Sequence, residues 1–227
     1  KDVFGNLAQV NEKNATSTYA TIYEYDYSKD LTKVIDALSN VRNFTYDGLG
    51  RRLTAEDLHA TGDATFGSWS YTYDDAGNLT QTVDPKNQTI QYAYDDLNRV
   101  STENYTGQAG TEVQYAYDYC ADGKGRLCAA TTTDLVSRYN YNALGLVKDE
   151  TKIFNVSNTF VTTYDYDRQS NLAKIIYPDS SEVKYEYNTA GLLEKVSQKE
   201  YGAQSYTDLV SDFDYSPLEQ VSFEKFY

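Results

Sequence analysis

The sequence predicts an all-β fold built from tandem antiparallel β-hairpins. A motif of an aromatic residue, any residue and Tyr, followed by Asp, Asn or Ser, recurs nine times at intervals of 21 to 28 residues. Aromatic and polar side chains alternate around each motif, and turn-forming residues follow it. Such recurrence is the signature of a repeat protein, in which each unit packs mainly on its neighbours. We therefore expect residues 1–227 to form one continuous repeat domain of about nine hairpin units.

The outgoing strand of each unit carries two aromatic residues that are two positions apart. Successive side chains of a strand point to opposite faces, so the two aromatic residues share one face. The residues between them are mixed or polar, which is typical of a half-buried antiparallel strand. The pairs are Tyr23 and Tyr25, Phe44 and Tyr46, Tyr71 and Tyr73, Tyr92 and Tyr94, Tyr115 and Tyr117, Tyr139 and Tyr141, Tyr164 and Tyr166, Tyr185 and Tyr187, and Phe213 and Tyr215.

Turn chemistry follows the second aromatic residue, most clearly at Asp74 and Gly77. An Asp carboxylate can accept hydrogen bonds from the amides just ahead of it, and a Gly three positions later adopts positive φ without steric penalty. The same two positions hold Asp47 and Gly50, Asp95 and Asn98, Asn142 and Gly145, and Asn188 and Gly191. Lys29, Ser170 and Glu219 occupy the Gly position in other units. For those units we expect turns that are either strained or differently shaped.

Charge and composition argue against some classes of binding partner. Acidic residues outnumber basic ones 34 to 20, and the net charge is −14. Such a surface repels phosphate backbones and anionic lipids, so we expect no nucleic acid partner and no membrane insertion. The sequence contains no Met, and we expect it to be a fragment of a larger protein.

Residues that could carry chemistry have simpler explanations. Carboxylate pairs can hydrolyse glycosides or bind calcium, but turn capping already explains the first Asp of each turn. His59, the only His, lies in a long connection without the partners of a triad or a zinc motif. We expect it to be a solvated loop residue, and we expect no enzyme, no cofactor and no metal site. The pairs considered are Asp74 and Asp75, Asp95 and Asp96, Asp165 and Asp167, and Asp212 and Asp214.

The stretches 44–51, 71–79 and 92–99 resemble the YD repeats of bacterial Rhs proteins, insecticidal toxin complexes and animal teneurins. The resemblance extends over essentially the whole chain. It implies that the hairpins wind into an open, curved β-spiral that forms the wall of a hollow shell, secreted or displayed at the cell surface. Such shells end in a self-cleaving Asp-Pro-x-Gly region. The only Asp-Pro here, at Asp84, is followed by Lys86 and Asn87 and does not match it.

The resemblance also implies partners. These are other YD repeats of the same parent chain, together with an enclosed toxin polypeptide in bacterial shells or a cell-surface receptor in shells that serve adhesion. The alternative function is an extracellular adhesion or carbohydrate-binding module, because sugars stack on exposed aromatic rings. The competing interpretation of those rings is that they form the packed face of the sheet.

Cys120 and Cys128 are the only cysteines, and they bracket an enlarged turn. Two cysteines at the base of a hairpin loop can reach the Cα separation that a disulfide requires. Disulfides persist in oxidising, extracellular compartments, which is the setting that the resemblance implies. We therefore favour a disulfide over two free thiols.

Overall fold

The computed structural model describes residues 1–107, 112–155, 157–216 and 221–226. The chain divides into two compact units, Lys1–Glu112 and Val113–Tyr227. All regular structure in the described residues is β-strand. This part of the chain accordingly contains no helix long and apolar enough to cross a membrane.

The first unit is an antiparallel sheet in which strands pair mostly in chain order. The exception is the fourth strand, whose residues 44–46 pair with the fifth strand and whose residues 40–41 pair with the sixth. The fifth strand then pairs with the seventh. Its strands are β1 (Gln9–Asn14), β2 (Ser17–Tyr25), β3 (Leu31–Ile35), β4 (Asn40–Tyr46), β5 (Arg52–Glu56), β6 (His59–Ala60), β7 (Ser68–Tyr73), β8 (Leu79–Val83), β9 (Thr89–Tyr94) and β10 (Val100–Thr106).

The second unit is also antiparallel, and every strand pairs with the next one in the chain. No pairing among the described residues joins the first strand of a unit to its last, so each sheet is open. The predicted all-β class of tandem antiparallel hairpins is confirmed. The strands are β11 (Val113–Tyr117), β12 (Leu127–Thr131), β13 (Leu135–Tyr141), β14 (Val147–Phe154), β15 (Asn158–Tyr166), β16 (Leu172–Ile176), β17 (Glu182–Tyr187), β18 (Leu193–Lys199), β19 (Thr207–Tyr215) and β20 (Val221–Phe226).

The two faces of the strands differ, as the alternation of the sequence indicates. In β7, Trp69, Tyr71 and Tyr73 are half-buried, whereas the intervening Ser70 and Thr72 are exposed. Few of the described side chains are buried. Strand pairing and cross-strand contacts, rather than a thick core, therefore stabilise the sheets. The buried side chains are Phe44, Ala55, Cys128, Ala129, Ser137, Ser197 and Ser211.

A β-bulge recurs at the second aromatic residue of every hairpin motif. In the β7–β8 hairpin, Thr72 pairs with Gln81 but Tyr73 pairs with Leu79, so the return strand holds one extra residue. A bulge bends the strand and changes the direction in which side chains point. The same shift occurs at Tyr25, Tyr46, Tyr94, Tyr117, Tyr141, Tyr166, Tyr187 and Tyr215.

Candidate functional site

Seven of the turns that follow an aromatic pair share one hydrogen-bonded geometry, shown by Asp74 to Asn78. The Asp74 amide donates to the Asn78 carbonyl at 2.9 Å, and the Gly77 amide donates to the Asp74 carbonyl at 3.1 Å. The Asp74 carboxylate accepts the Asn78 amide at 2.8 Å. Gly77 has φ of 91°, in the left-handed region where a glycine is free of Cβ strain. Gly50, Gly145 and Gly191 occupy the same position with φ of 78°, 80° and 81°.

Non-glycine residues adopt the same turn. Lys29, Asn98 and Ser170 have φ of 71°, 58° and 68°. The Lys29 amide donates to Asp26 and the Ser170 amide to Asp167, each at 3.1 Å. Of the two alternatives raised for these positions, the structure has the strained residue rather than a different turn. A side chain in this region costs about 1–2 kcal/mol. Glu219 lies outside the described residues.

Replacing Lys29 by Gly is expected to raise the free energy of unfolding by about 0.5–1 kcal/mol, because relief of Cβ strain exceeds the added entropy of the unfolded chain. Gly77→Ala is expected to lower it by about 1–2 kcal/mol. Gly48→Ala is the matched control, since Gly48 lies in a turn without positive φ and an added Cβ would meet nothing. Urea unfolding measures all three. Equal effects of Ala at Gly77 and Gly48 would contradict the turn assignment.

The connections between hairpins use this turn as well, which sequence reasoning missed. The Asp36 amide donates to Asn40 and the Ser39 amide to Asp36, both at 3.0 Å, and Ser39 has φ of 65°. Asp84 and Asn87 repeat the arrangement. The available signal was an Asp three residues before Ser or Asn, without a preceding aromatic motif. The same turn chemistry therefore occurs at both ends of the strands.

The turn carboxylates are engaged in holding the turns. Hydrogen bonds from the side chain and then the backbone of Asn78 hold the pKa of Asp74 below its usual value. The backbone amide of Arg99, followed by its side chain, does the same for the pKa of Asp95. Within the described part of the chain, no group of three or more His, Cys, Asp or Glu side chains is placed to hold a metal ion.

These turns predict acid sensitivity. A carboxylate whose pKa in the folded chain lies below the usual Asp value of 3.8 stabilises the fold above that pH, and the stabilisation is lost as the pH falls further. We expect the urea midpoint to fall steeply below about pH 4. In Asp74→Asn the fall should be shallower, because one titrating group is gone. A wild-type midpoint that does not change between about pH 5 and pH 3 would contradict this role.

In most of the described hairpins, the second aromatic residue clamps its hairpin to the preceding one. Its hydroxyl donates to the main-chain carbonyl where the preceding return strand begins, as from Tyr94 to Leu79 at 2.8 Å. The hydroxyl thereby gives a main-chain carbonyl of the neighbouring hairpin a hydrogen-bond donor. The same hydrogen bond joins Tyr25 with Leu7, Tyr46 with Leu31, Tyr73 with Arg52, Tyr141 with Leu127, Tyr166 with Val147, Tyr187 with Leu172 and Tyr215 with Leu193, at 2.6 to 3.1 Å.

This clamp accounts for a sequence bias that the motif alone leaves unexplained. The second aromatic is Tyr in all nine units, whereas the first is Phe in two, Phe44 and Phe213. Only the second position needs a hydroxyl donor. The missed signal was therefore the invariance of Tyr at one position of the pair.

The Arg51 side chain adds further links between successive hairpins. Arg51 donates to the carboxylate of its own turn, Asp47, at 2.6 Å and to the Asp74 carbonyl of the next hairpin turn at 3.0 Å. Its guanidinium lies 4.9 Å from the ring centre of Tyr73. Cation–π contact and the two hydrogen bonds place one residue across two successive hairpins.

The enlarged turn contains the disulfide expected between Cys120 and Cys128, with a Cα separation of 5.4 Å. Cys128 is almost completely buried, at 1% exposure. The turn binds the next hairpin, because the Tyr141 amide donates to the Ala121 carbonyl at 3.1 Å. A side chain at Gly123 would overlap the Cys120 sulfur.

The prediction that His59 is a solvated loop residue was wrong. Its side chain is 8% exposed, and its ring stacks on Phe66 with 3.9 Å between the ring centres. The cause is β6, a two-residue strand that pairs with β4 and holds His59 against the sheet. So short a strand leaves no periodic signal in the sequence.

Comparison with known proteins gives one family and one fold. Residues 73–109 match the family model of the RHS repeat. No curated protein matches the sequence. The chain is similar to the crystal structure of TcdB2-TccC3-Cdc42, with 16% identity, a TM-score of 0.78, and coverage of 98% of this chain and 12% of that one.

Two further solved structures agree. TcdB2-TccC3 gives 16% identity and a TM-score of 0.78 over 98% of this chain and 13% of that chain. The Tc holotoxin pore of Photorhabdus luminescens gives 16% identity and a TM-score of 0.75 over 95% and 12%. The chain thus spans about an eighth of the chains that it matches. Residues 73–109 carry an RHS repeat, and the chain as a whole has the β-sheet fold of the TcdB2-TccC3 structures.

Proposed function

We propose that this chain is a wall segment of an Rhs/YD-repeat shell, with a structural rather than an enzymatic role. In this proposal residues 1–227 are one continuous repeat domain within a larger protein that is secreted or displayed at the cell surface. The shell encloses a toxin polypeptide or supports contact between cells. The RHS repeat at 73–109 and the shared fold support it.

The observation that carries the proposal is the way successive hairpins are joined. Within each compact unit, successive hairpins are bound by a main-chain ladder, and most are bound again by a tyrosine clamp, such as that between Tyr46 and Leu31. A wall requires a continuous hydrogen-bonded barrier. It places little demand on any single exposed side chain, in contrast to a catalytic site.

The two faces of the second unit differ chemically, as a wall between two environments would. One face carries the tyrosine pairs. The opposite face of β15 to β19 carries ion pairs, including Lys174 with Asp165 at 3.1 Å and Lys195 with Asp208 at 2.8 Å. Pairing neutralises these charges locally, so this face is polar without a strong field of one sign.

Electron microscopy and limited proteolysis of the full-length parent protein test the proposal. We expect a hollow particle with this segment in its wall, and an internal polypeptide that resists protease until the particle is unfolded. A solid or rod-like parent without a cavity would contradict the enclosing role. Saturable glycan binding by such a parent would favour the adhesive alternative.

A further inference from the structure

One edge of β15 is only partly paired. β15 pairs with β14 along Asn158–Thr163, but with β16 only along Thr163–Tyr166. β16 ends at Ile176, where the chain turns back with the Tyr177 amide donating to the Ser181 carbonyl at 2.9 Å. Residues 158–162 therefore have no strand pairing on the β16 side among the described residues.

This free edge offers main-chain hydrogen bonds. In an antiparallel strand, alternate residues direct their N–H and C=O groups to each side. Five residues of β-strand extend over about 17 Å. Proteins usually protect such edges with charged residues, proline or bulges. Residues 158–162 read Asn-Thr-Phe-Val-Thr, which contains none of the protecting residue types.

An apolar groove of about 540 Å³ lies beside the free edge. Phe160 and Tyr177 line it with Pro178, and the two rings are 46% and 40% exposed. Phe154 contacts the Phe160 ring edge-on, with 5.9 Å between the ring centres. This contact limits the movement of the Phe160 ring, so the groove has a defined wall.

A negative charge held by hydrogen bonds lines the groove. One carboxylate oxygen of Asp179 accepts the Ser181 hydroxyl at 2.7 Å and the Ser181 amide at 2.9 Å. These hydrogen bonds, the one from the hydroxyl first, hold the pKa of Asp179 below its usual value. Asp179 is exposed and lines the groove. It therefore favours a basic group on whatever binds here.

We propose that residues 158–162 bind an extended polypeptide segment of about five residues as an added β-strand. An aliphatic side chain of that segment packs between Phe160 and Tyr177, and a Lys or Arg side chain lies beside Asp179. Strand addition uses main-chain hydrogen bonds for affinity and side-chain pockets for specificity. A polypeptide fits better than a glycan because the free edge repeats donors and acceptors at strand spacing. The interaction is independent of the wall role.

The probe is a library of capped hexapeptides in which Val, Ile or Leu alternates with Thr, with Lys or Arg at either end. Amide hydrogen exchange by NMR on the intact chain reports the binding position. Under saturating peptide, free-edge amides in residues 158–162 should exchange at least tenfold more slowly. For the tightest peptide, Phe160→Ala should weaken the affinity at least tenfold. Leu144→Ala, which truncates another exposed apolar residue of the second unit, should leave it unchanged.

A second probe separates strand addition from simple hydrophobic adhesion. The tightest peptide is resynthesised with alternate main-chain nitrogens methylated, once in each phase, so that its side chains are retained. One of the two phases should lose binding at least tenfold. Equal binding of both methylated forms would overturn the proposal, as would unchanged affinity in Phe160→Ala. Failure of the whole library to slow exchange at residues 158–162 would also overturn it, including a case in which a soluble glycan protects them instead.

Discussion

Tyr94→Phe is expected to lower the free energy of unfolding by about 1 kcal/mol, and Tyr94→Ala by about 2–3 kcal/mol. The first change removes the hydroxyl that donates to the Leu79 carbonyl at 2.8 Å. The second also removes a half-buried ring from the aromatic face. Urea unfolding followed by circular dichroism measures both losses.

Tyr92→Phe is the matched control for the clamp. Tyr92 lies two residues earlier on the same face of β9, and its hydroxyl makes no hydrogen bond to any described residue. Its loss should change the free energy of unfolding by less than about 0.5 kcal/mol. If the two Tyr→Phe changes cost the same, the hydroxyl does not clamp the units, and the invariance of the second Tyr needs another explanation.

Removing the disulfide is expected to destabilise the second unit by about 2–3 kcal/mol. Closing a nine-residue loop restricts the unfolded chain by about that amount. The double variant Cys120→Ser with Cys128→Ser tests this by urea unfolding. Gly123→Ala should also lower the free energy of unfolding, because its Cβ would overlap the Cys120 sulfur. Gly125→Ala is the steric control, since an added Cβ there meets nothing, although its φ of 76° adds strain of about 1–2 kcal/mol.

The bond itself has a direct chemical test. Reduction should raise the intact mass by two hydrogen atoms, and alkylation of the unreduced native chain should fail. Full labelling of both thiols without a reductant would show that they are free. If the mass shift shows the bond, unchanged stability in the double Ser variant would mean that the turn keeps its shape without it.

Several features could be predicted from local sequence because their causes are local. The alternation of Trp69, Tyr71 and Tyr73 with small polar residues determines which face of β7 is covered. Asp74 and Gly77 determine a turn, since a carboxylate acceptor and a residue tolerant of positive φ are needed within four positions. The spacing of Cys120 and Cys128 across a turn allowed a disulfide to be predicted. The residues that cause each of these features lie within one hairpin.

Other features depend on contacts between hairpins, which no local pattern specifies. The partner of the Tyr94 hydroxyl lies 15 residues away, in the preceding hairpin. Lys29 keeps the glycine-type turn because the paired strands on both sides impose its geometry, at the cost of a strained φ. His59 is buried because β4 offers it a two-residue pairing. A repeated hairpin with an aromatic face follows from local sequence alone. The contacts that join successive hairpins within a unit emerge only in the folded chain, because they are hydrogen bonds between residues distant in the sequence.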